Sequence, residues 1–137
     1  MEKIARIFIA TLLFSVLSFA DEYVVISNKN MKDLSPSQIR AIFLKKLVLV
    51  GDIKAVPVNL EARDPLRLKF EQDILDMSFE RLKSYWTKQH YLGHRPPVSM
   101  KSQESIKAFV KKVDGSLGYI SADNVDNSVK VMYRWSD

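Results

Sequence analysis

The sequence predicts an α/β fold in which a mixed sheet is flanked by helices. Short runs of β-branched and apolar residues alternate along the chain with segments that begin at helix-capping residues. The length of 137 residues suits one domain plus a removable segment. Hydrophobic residues make up 47% of the chain and charged residues 27%, which is the balance of a folded protein and not of a disordered tail.

The first half of the chain predicts a strand, a helix and a hairpin. Residues 23–26 form a β-branched run that is typical of a buried strand. Ser35 is followed by proline and, three positions after the serine, by glutamine, which is the pattern of a capped helix start. Residues 47–50 and 53–58 are two extended runs around a glycine turn, so we expect a hairpin there. Pro57 indicates that the second run is an edge strand or ends nearby.

The second half predicts helices that begin after three capping residues. Asp64 is followed directly by a proline, and Ser78 and Ser102 each precede an amphipathic segment. The helix that follows Ser102 should end at Gly115, because glycine readily adopts the backbone conformation that closes a helix. The remaining predicted strands are residues 98–100, 117–120 and 129–133.

The first twenty residues have the three-part pattern of a secretory signal peptide. Lys3 and Arg6 precede an uncharged stretch, residues 7–19, and small residues come just before Asp21. We therefore expect cleavage after Ala20 and a periplasmic protein. The alternative, an uncleaved leader that anchors the chain, stays open.

Cleavage would leave one periplasmic domain, residues 21–137. The apolar part of the leader is shorter than the about 20 residues that a bilayer crossing needs, so we expect no stable membrane span after cleavage. The net charge of +5 and the pI of about 9.4 fit an anionic partner of some kind. Export makes an intracellular nucleic acid an improbable partner, and we expect none.

Several kinds of chemistry are excluded or disfavoured by the sequence. The chain has no cysteine, which excludes disulfides, thiolate metal sites and a cysteine nucleophile. It contains no nucleophile elbow, P-loop or zinc motif. We therefore expect no enzymatic activity, no catalytic residues and no cofactor. His90 and His94 have the spacing of a helical metal pair, but Gly93 lies between them and predicts the end of the helix. We therefore expect no metal site.

An ordered set of segments resembles the phosphate-binding proteins of ABC transporters. Residues 35–46 (SPSQIRAIFLKK) look like the helix and "IF-L-G-K" segment of that family, and residues 115–120 (GSLGYI) resemble its "G-A-I-G-Y-V" strand. Between them lie residues 56–58 (VPV), 64–67 (DPLR) and 85–86 (YW) in the family's order. The resemblance covers nearly all of the chain after the leader. It implies one lobe of a type II periplasmic-binding-protein-like fold, which binds phosphate or a related oxyanion and is linked to ABC-type phosphate transport.

The phosphate-binding helix start of the family is altered in this chain. In the full two-lobed proteins phosphate sits at a Ser-Gly-Thr helix start, with an arginine four residues before the serine. Here the triplet is Asp64-Pro65-Leu66, and Leu60 stands at the arginine position. A carboxylate at residue 64 would occupy the N–H groups that an anion needs, and Pro65 has no N–H to donate. An alternative function is therefore open: a non-transport accessory or sensory interaction protein that has lost the ligand site.

Candidate ligand residues flank predicted helix starts or follow the first strand. An anion could be held by the two arginines around the altered triplet, although either could equally pair with Asp64 or with a nearby glutamate such as Glu61 or Glu71. The serines and the lysine before the third predicted cap, and the two polar residues after the first strand, are further candidates. For these, ordinary helix caps and turns are the competing interpretation. The candidates are Arg63, Asp64, Arg67, Ser27, Asn28, Ser99, Lys101 and Ser102.

One lobe cannot close over a ligand by hinge motion, so a partner must supply the second wall if the site is to be dry. A second copy in a homodimer could supply that wall. Under the alternative function, the lobe instead docks on an envelope transport or sensor protein. An isolated lobe should bind an oxyanion with micromolar or weaker affinity.

Overall fold

The computed structural model describes residues 21–137. The predicted leader, residues 1–20, lies outside the described residues, and its cleavage stays a prediction. A single 3₁₀ turn, Ala122–Asn124, precedes the last strand. The elements in chain order are β1 (Glu22–Ser27), α1 (Pro36–Phe43), β2 (Leu49–Val50), β3 (Ile53–Lys54), β4 (Val56–Leu60), α2 (Pro65–Asp73), α3 (Phe79–Tyr91), β5 (Val98–Met100), α4 (Gln103–Lys112), β6 (Ser116–Ser121) and β7 (Lys130–Ser136).

The main sheet is mixed and has the strand order β5-β4-β6-β1-β7. Strand β4 pairs in parallel with both β5 and β6. Strand β1 runs antiparallel to β6 on one side and to β7 on the other. The carboxyl ends of β4, β5 and β6 therefore lie at one edge of the sheet, together with the amino end of β1. The predicted α/β class with a mixed sheet is confirmed.

The predicted helix starts are confirmed at each capping residue. The Gln38 backbone N–H donates to Ser35 Oγ at 3.2 Å, and the Ser35 N–H donates to Gln38 Oε1 at 2.8 Å, which is a complete capping box. Asp64, Ser78 and Ser102 cap α2, α3 and α4 in the same way, each with its side-chain oxygen on a backbone N–H of the first turn. These caps are local, so the sequence predicts them well.

The prediction of one extended run over residues 53–58 was wrong, because the structure divides this segment between two strands. Its first part is β3, which forms the expected hairpin with β2, and the chain then shifts into the main sheet as β4. Pro57 lies in an interior strand, although it was expected at an edge or strand end. The sheet tolerates it because β4 pairs there only with β6, at Leu117, and pairing with β5 begins at Val58.

The core covers both faces of the sheet. On one face α4 approaches β6 so closely that a Cβ on Gly118 would overlap Ile106 Cγ2. On the other face the buried ring of Tyr119 stacks on Phe70 with centroids 4.0 Å apart, and Phe43 meets Phe70 edge-on. Adjacent residues of β6 thus face opposite helical layers, as alternation along a strand requires. Among residues 21–137 no helix has the length and apolar content that a membrane crossing needs.

Candidate functional site

The candidate site is a cleft at the carboxyl edge of β4, β5 and β6. The starts of α2 and α4 and the amino end of β1 meet there. This arrangement matches the place where open α/β sheets bind ligands. We call it the edge cleft; it has a volume of about 460 Å³. Its lining residues are Asp21, Tyr23, Asp64, Pro65, Leu66, Lys69, Gln103 and Ser121.

The start of α2 is closed by its own capping residue. Asp64 Oδ1 accepts a hydrogen bond of 2.9 Å from the Leu66 N–H, and Pro65 has no N–H to offer. The Asp64 N–H donates to the Glu61 carbonyl at 2.9 Å. Of the N–H groups that a helix start usually leaves unpaired, that of residue 65 is absent and those of Asp64 and Leu66 are already bonded. The interpretation of Asp64-Pro65 as a helix cap is confirmed.

Arg67 is used to join α2 to the sheet. Its Nε donates to Glu71 Oε2 at 2.9 Å, and one terminal nitrogen donates to the Leu60 carbonyl at 2.9 Å and to Ser99 Oγ at 3.4 Å. The Arg67 and Glu71 side chains are only 15% and 8% exposed. The pairing with Glu71, left open by the sequence, is thus present. Arg67 clamps the ends of β4 and β5, so its guanidinium is committed to groups of the protein.

Lys69 is a lining residue that sequence reasoning missed. Its Nζ forms ion pairs with Asp73, at 3.0 Å, and with Asp137. The hydrogen bond to Asp137, and then the one to Asp73, raise the pKa of Lys69 above its usual value. The spacing of four residues between Lys69 and Asp73 was a signal for one half of this arrangement. The charge of Lys69 is balanced by two carboxylates, so it attracts a passing anion weakly.

The start of α4 is also tied to neighbouring groups. Ser102 Oγ accepts from the Ser105 N–H at 3.0 Å. Gln103 Oε1 accepts from the Ser121 N–H at 2.8 Å and from Asn124 Nδ2 at 2.7 Å, which fixes α4 against the end of β6. Lys101 lies just before this helix and is exposed. The helix start is therefore a structural junction.

The edge cleft has an acidic balance. Its lining includes the carboxylates of Asp21 and Asp64, and Lys69 is its cationic member. Arg63 precedes α2 and is exposed to solvent. The cations that remain available to an anion at this edge are thus on the outside of the cleft, at Arg63 and Lys101.

Ser27 and Asn28 lie at the opposite edge of the sheet. The sequence placed them after the first strand, at the carboxyl end of a sheet where open α/β folds bind ligands, but β1 runs antiparallel to β6, so its carboxyl end meets the amino ends of the parallel strands. Asn28 is buried, and its Nδ2 donates to the Val110 carbonyl at 2.9 Å and to the Lys111 carbonyl at 3.3 Å. Asn28 therefore satisfies carbonyls at the end of α4, which have no partners within the helix.

A buried polar pair behind the edge cleft was also missed. Tyr119 Oη donates to Asn59 Oδ1 at 2.9 Å and accepts from the Leu60 N–H at 3.2 Å. Burial raises the pKa of Tyr119 above its usual value near 10. The pair holds the end of β4, which in turn carries the carbonyl that Arg67 binds. Its role in the site is to position Arg67.

Within the described part of the chain, no three histidine, aspartate or glutamate side chains gather in a way that could hold a metal ion. Helix α3 ends at Tyr91 and Gly93 has a φ of +87°, so His94 lies beyond the helix that carries His90.

Comparison with known proteins gives matches among solved structures. No protein-family model and no curated protein sequence matches the chain. An ABC-type phosphate transport receptor from Vibrio cholerae superposes with a TM-score of 0.64 at 22% identity, over 83% of this chain and 47% of the receptor. A phosphate ABC transporter substrate-binding protein from Clostridium perfringens, solved with bound phosphate, gives 0.63 at 26% identity, over 82% and 44%.

PstS from Borrelia burgdorferi gives a TM-score of 0.64 at 15% identity, over 83% of this chain and 47% of PstS. The chain thus spans about half the length of the receptors that it matches. The share that it matches, together with the mixed sheet and its helical layers, corresponds to one lobe of such a receptor. The described residues therefore share the fold of one lobe of these phosphate-transport receptors.

Proposed function

We propose that this chain is a periplasmic accessory lobe of the phosphate-receptor type, a binding protein and not an enzyme, that works with an envelope transport or sensor protein and holds no phosphate tightly by itself. The likeness to phosphate-transport receptors supports the link to oxyanion transport. The observation that carries the proposal is the hydrogen bond from the Leu66 N–H to Asp64, beside a proline that has no N–H.

Electrostatics supports the same proposal. A phosphate at the start of α2 would lie beside the Asp64 carboxylate, in a cleft that Asp21 also lines. Two like charges 4 Å apart near a protein surface repel by about 4 kcal/mol. That cost exceeds the about 0.3–1 kcal/mol that the positive end of a helix usually contributes at an exposed site. Phosphate binding at α2 is thus disfavoured by charge as well as by lack of donors.

A second candidate function is phosphate binding by the lobe itself, as the resemblance implies. The exposed positions of Arg63 and Lys101 at the edge cleft favour it, as does the bound phosphate in the Clostridium perfringens relative. An open, hydrated site of this kind would bind with micromolar or weaker affinity, since the tightest sites are closed and dry.

Titration calorimetry with inorganic phosphate distinguishes the two candidates. We expect no saturable heat from the parent protein in the micromolar range. Asp64→Ser together with Pro65→Gly removes the carboxylate and restores an N–H, so it should strengthen phosphate binding by about 10-fold or more. Asp52→Ser is the matched control. It removes the same charge from the turn between β2 and β3 and should leave binding unchanged.

Saturable phosphate binding by the parent in the micromolar range would refute the accessory proposal and support the second candidate, whereas submicromolar binding would contradict both. A double variant that binds no better than the parent would show that the altered triplet is not what weakens the site. A pull-down from envelope extract should recover a transport or sensor protein, and sedimentation should show whether a homodimer forms instead. Amino-terminal sequencing of the exported protein tests cleavage after Ala20.

A further inference from the structure

Helix α3 leaves large apolar side chains in solvent. Its inner side packs on the protein through Leu82, which is buried, and through Tyr85, whose Oη donates to the Leu44 carbonyl at 2.6 Å. On its outer side Phe79 is 58% exposed and Tyr91 is 84% exposed, and Leu92 just after the helix is 61% exposed. Apolar side chains are thus exposed to solvent at both ends of α3.

Cations surround these apolar side chains. Residues 79–97 contain four lysines and arginines and one glutamate. Lys83 and Trp86 line the groove of about 270 Å³ between α2 and α3, together with Phe79. Lys83 also lines a neighbouring depression with Lys88 and Tyr91.

The groove and the depression share Lys83, so the apolar and the cationic side chains that line them adjoin one another along α3. We call this surface the α3 face. Its residues are Phe79, Lys83, Trp86, Lys88 and Tyr91.

The charge of the α3 face selects among partners. A second copy of this chain, docked face to face, would bring like charges together and is disfavoured. An acidic peptide would satisfy the charges, but anchoring side chains at peptide-binding sites usually converge on one pocket. Here Phe79 and Tyr91 protrude at opposite ends of the helix, about 18 Å apart along its axis at 1.5 Å per residue. Protruding aromatic side chains spread among lysines are typical of surfaces that rest on anionic lipid.

We propose that the α3 face binds the anionic phospholipid headgroups of a membrane surface. The lysines pair with the headgroup charges, and the aromatic rings enter the boundary between headgroups and acyl chains. This would hold the protein beside the membrane without a spanning segment. The proposal does not depend on the proposed function, because α3 lies apart from the residues that line the edge cleft.

Vesicle co-sedimentation tests the proposal. The parent and all variants are purified with the amino terminus that the host cell produces, so they share the same residues before β1. Vesicles of phosphatidylcholine alone are compared with vesicles in which phosphatidylglycerol replaces part of it. We expect binding to the anionic vesicles, a blue shift of tryptophan fluorescence, and weakening by added salt.

Lys83→Gln with Lys88→Gln should weaken binding by about 30-fold, since each cation near an anionic surface is worth about 1 kcal/mol. Phe79→Ser with Tyr91→Ser should weaken it by about 10-fold or more. The matched control is Lys111→Gln with Lys112→Gln, which removes the same charge from the exposed end of α4 and should leave binding nearly unchanged. Circular dichroism checks that each variant is folded.

Absence of binding to anionic vesicles would overturn the proposal. Equal weakening by the α3 and α4 lysine variants would also overturn it, because the attraction would then depend on net charge and not on this face. The lipid proposal is also wrong if the parent binds polyglutamate but no vesicles, and the α3 lysine variant loses that binding. The surface would then be a docking site for an acidic chain.

Discussion

Replacing Arg67 by alanine tests whether its guanidinium is a structural clamp. The change leaves the carboxylate of Glu71, which is 8% exposed, without its partner, and it deprives the Leu60 carbonyl of a donor. Breaking a buried ion pair by removing one partner costs about 3–5 kcal/mol. Because Arg67 is still 15% exposed, we expect a value near the lower end, about 3 kcal/mol of unfolding free energy.

Urea denaturation followed by circular dichroism measures this loss. Adding Glu71→Leu to Arg67→Ala removes the stranded charge, so the double variant should be more stable than Arg67→Ala alone and lose about 1–2 kcal/mol relative to the parent. The matched control is Arg63→Ala, an arginine four residues earlier on the exposed surface, which should change stability by less than about 0.5 kcal/mol. The reasoning is refuted if Arg67→Ala costs no more than this control, or if the double variant is less stable than the single one.

Two further variants test the packing behind the edge cleft. Tyr119→Phe leaves Asn59 Oδ1 and the Leu60 N–H without their partner and should cost about 2–4 kcal/mol in urea denaturation. Because burial raises the pKa of Tyr119, ionisation of the tyrosine above pH about 10 favours the unfolded chain. Above that pH the free energy of unfolding should therefore fall more steeply with pH for the parent than for Tyr119→Phe. Equal slopes of the unfolding free energy against pH would contradict this. Gly118→Ala pushes a Cβ into Ile106 and should lower stability by about 1–3 kcal/mol in thermal denaturation. The loss caused by Gly118→Ala should be smaller in a chain that already carries Ile106→Ala, which makes room for the Cβ. If the stability losses of the two single variants simply add in the double variant, the close approach is contradicted.

The sequence predicted those parts of the fold that depend on near neighbours. A cap needs only its own side chain and the next few backbone N–H groups, so Ser35 and Asp64 could be identified without any tertiary information. The turn of the hairpin at Gly51 depends on equally local chemistry, whereas α4 ends at Lys112, three residues before the glycine that was expected to end it. The same locality explains why Asp64 was correctly interpreted as a helix cap.

Strand direction could not be predicted in this way. Ser27 and Asn28 follow a strand as Arg63 follows another, but whether the two strand ends share an edge depends on pairing between distant segments. The break in the predicted run at residues 53–58 has the same origin. Its second part leaves the hairpin because β5 and β6 are available as partners, and nothing in the run itself shows that.

Only some of the ion pairs formed by charged residues could be predicted from the sequence. The sequence left Asp64, Glu61 and Glu71 open as partners of Arg67, because the burial that favours Glu71 depends on the helices and strands around it. Asp137 reaches Lys69 from the far end of the chain, and no sequence spacing indicates such a contact. The electrostatic balance of the edge cleft is therefore a tertiary property.

The position of β1 between β6 and β7 has a consequence for the order of events during biosynthesis. Among the described residues, β1 is made before both of its neighbours, which follow it by about ninety residues or more. The apolar residues Val24, Val25 and Ile26 can be covered on both sides only after β6 and β7 have been made, so the main sheet is completed late in synthesis of this domain.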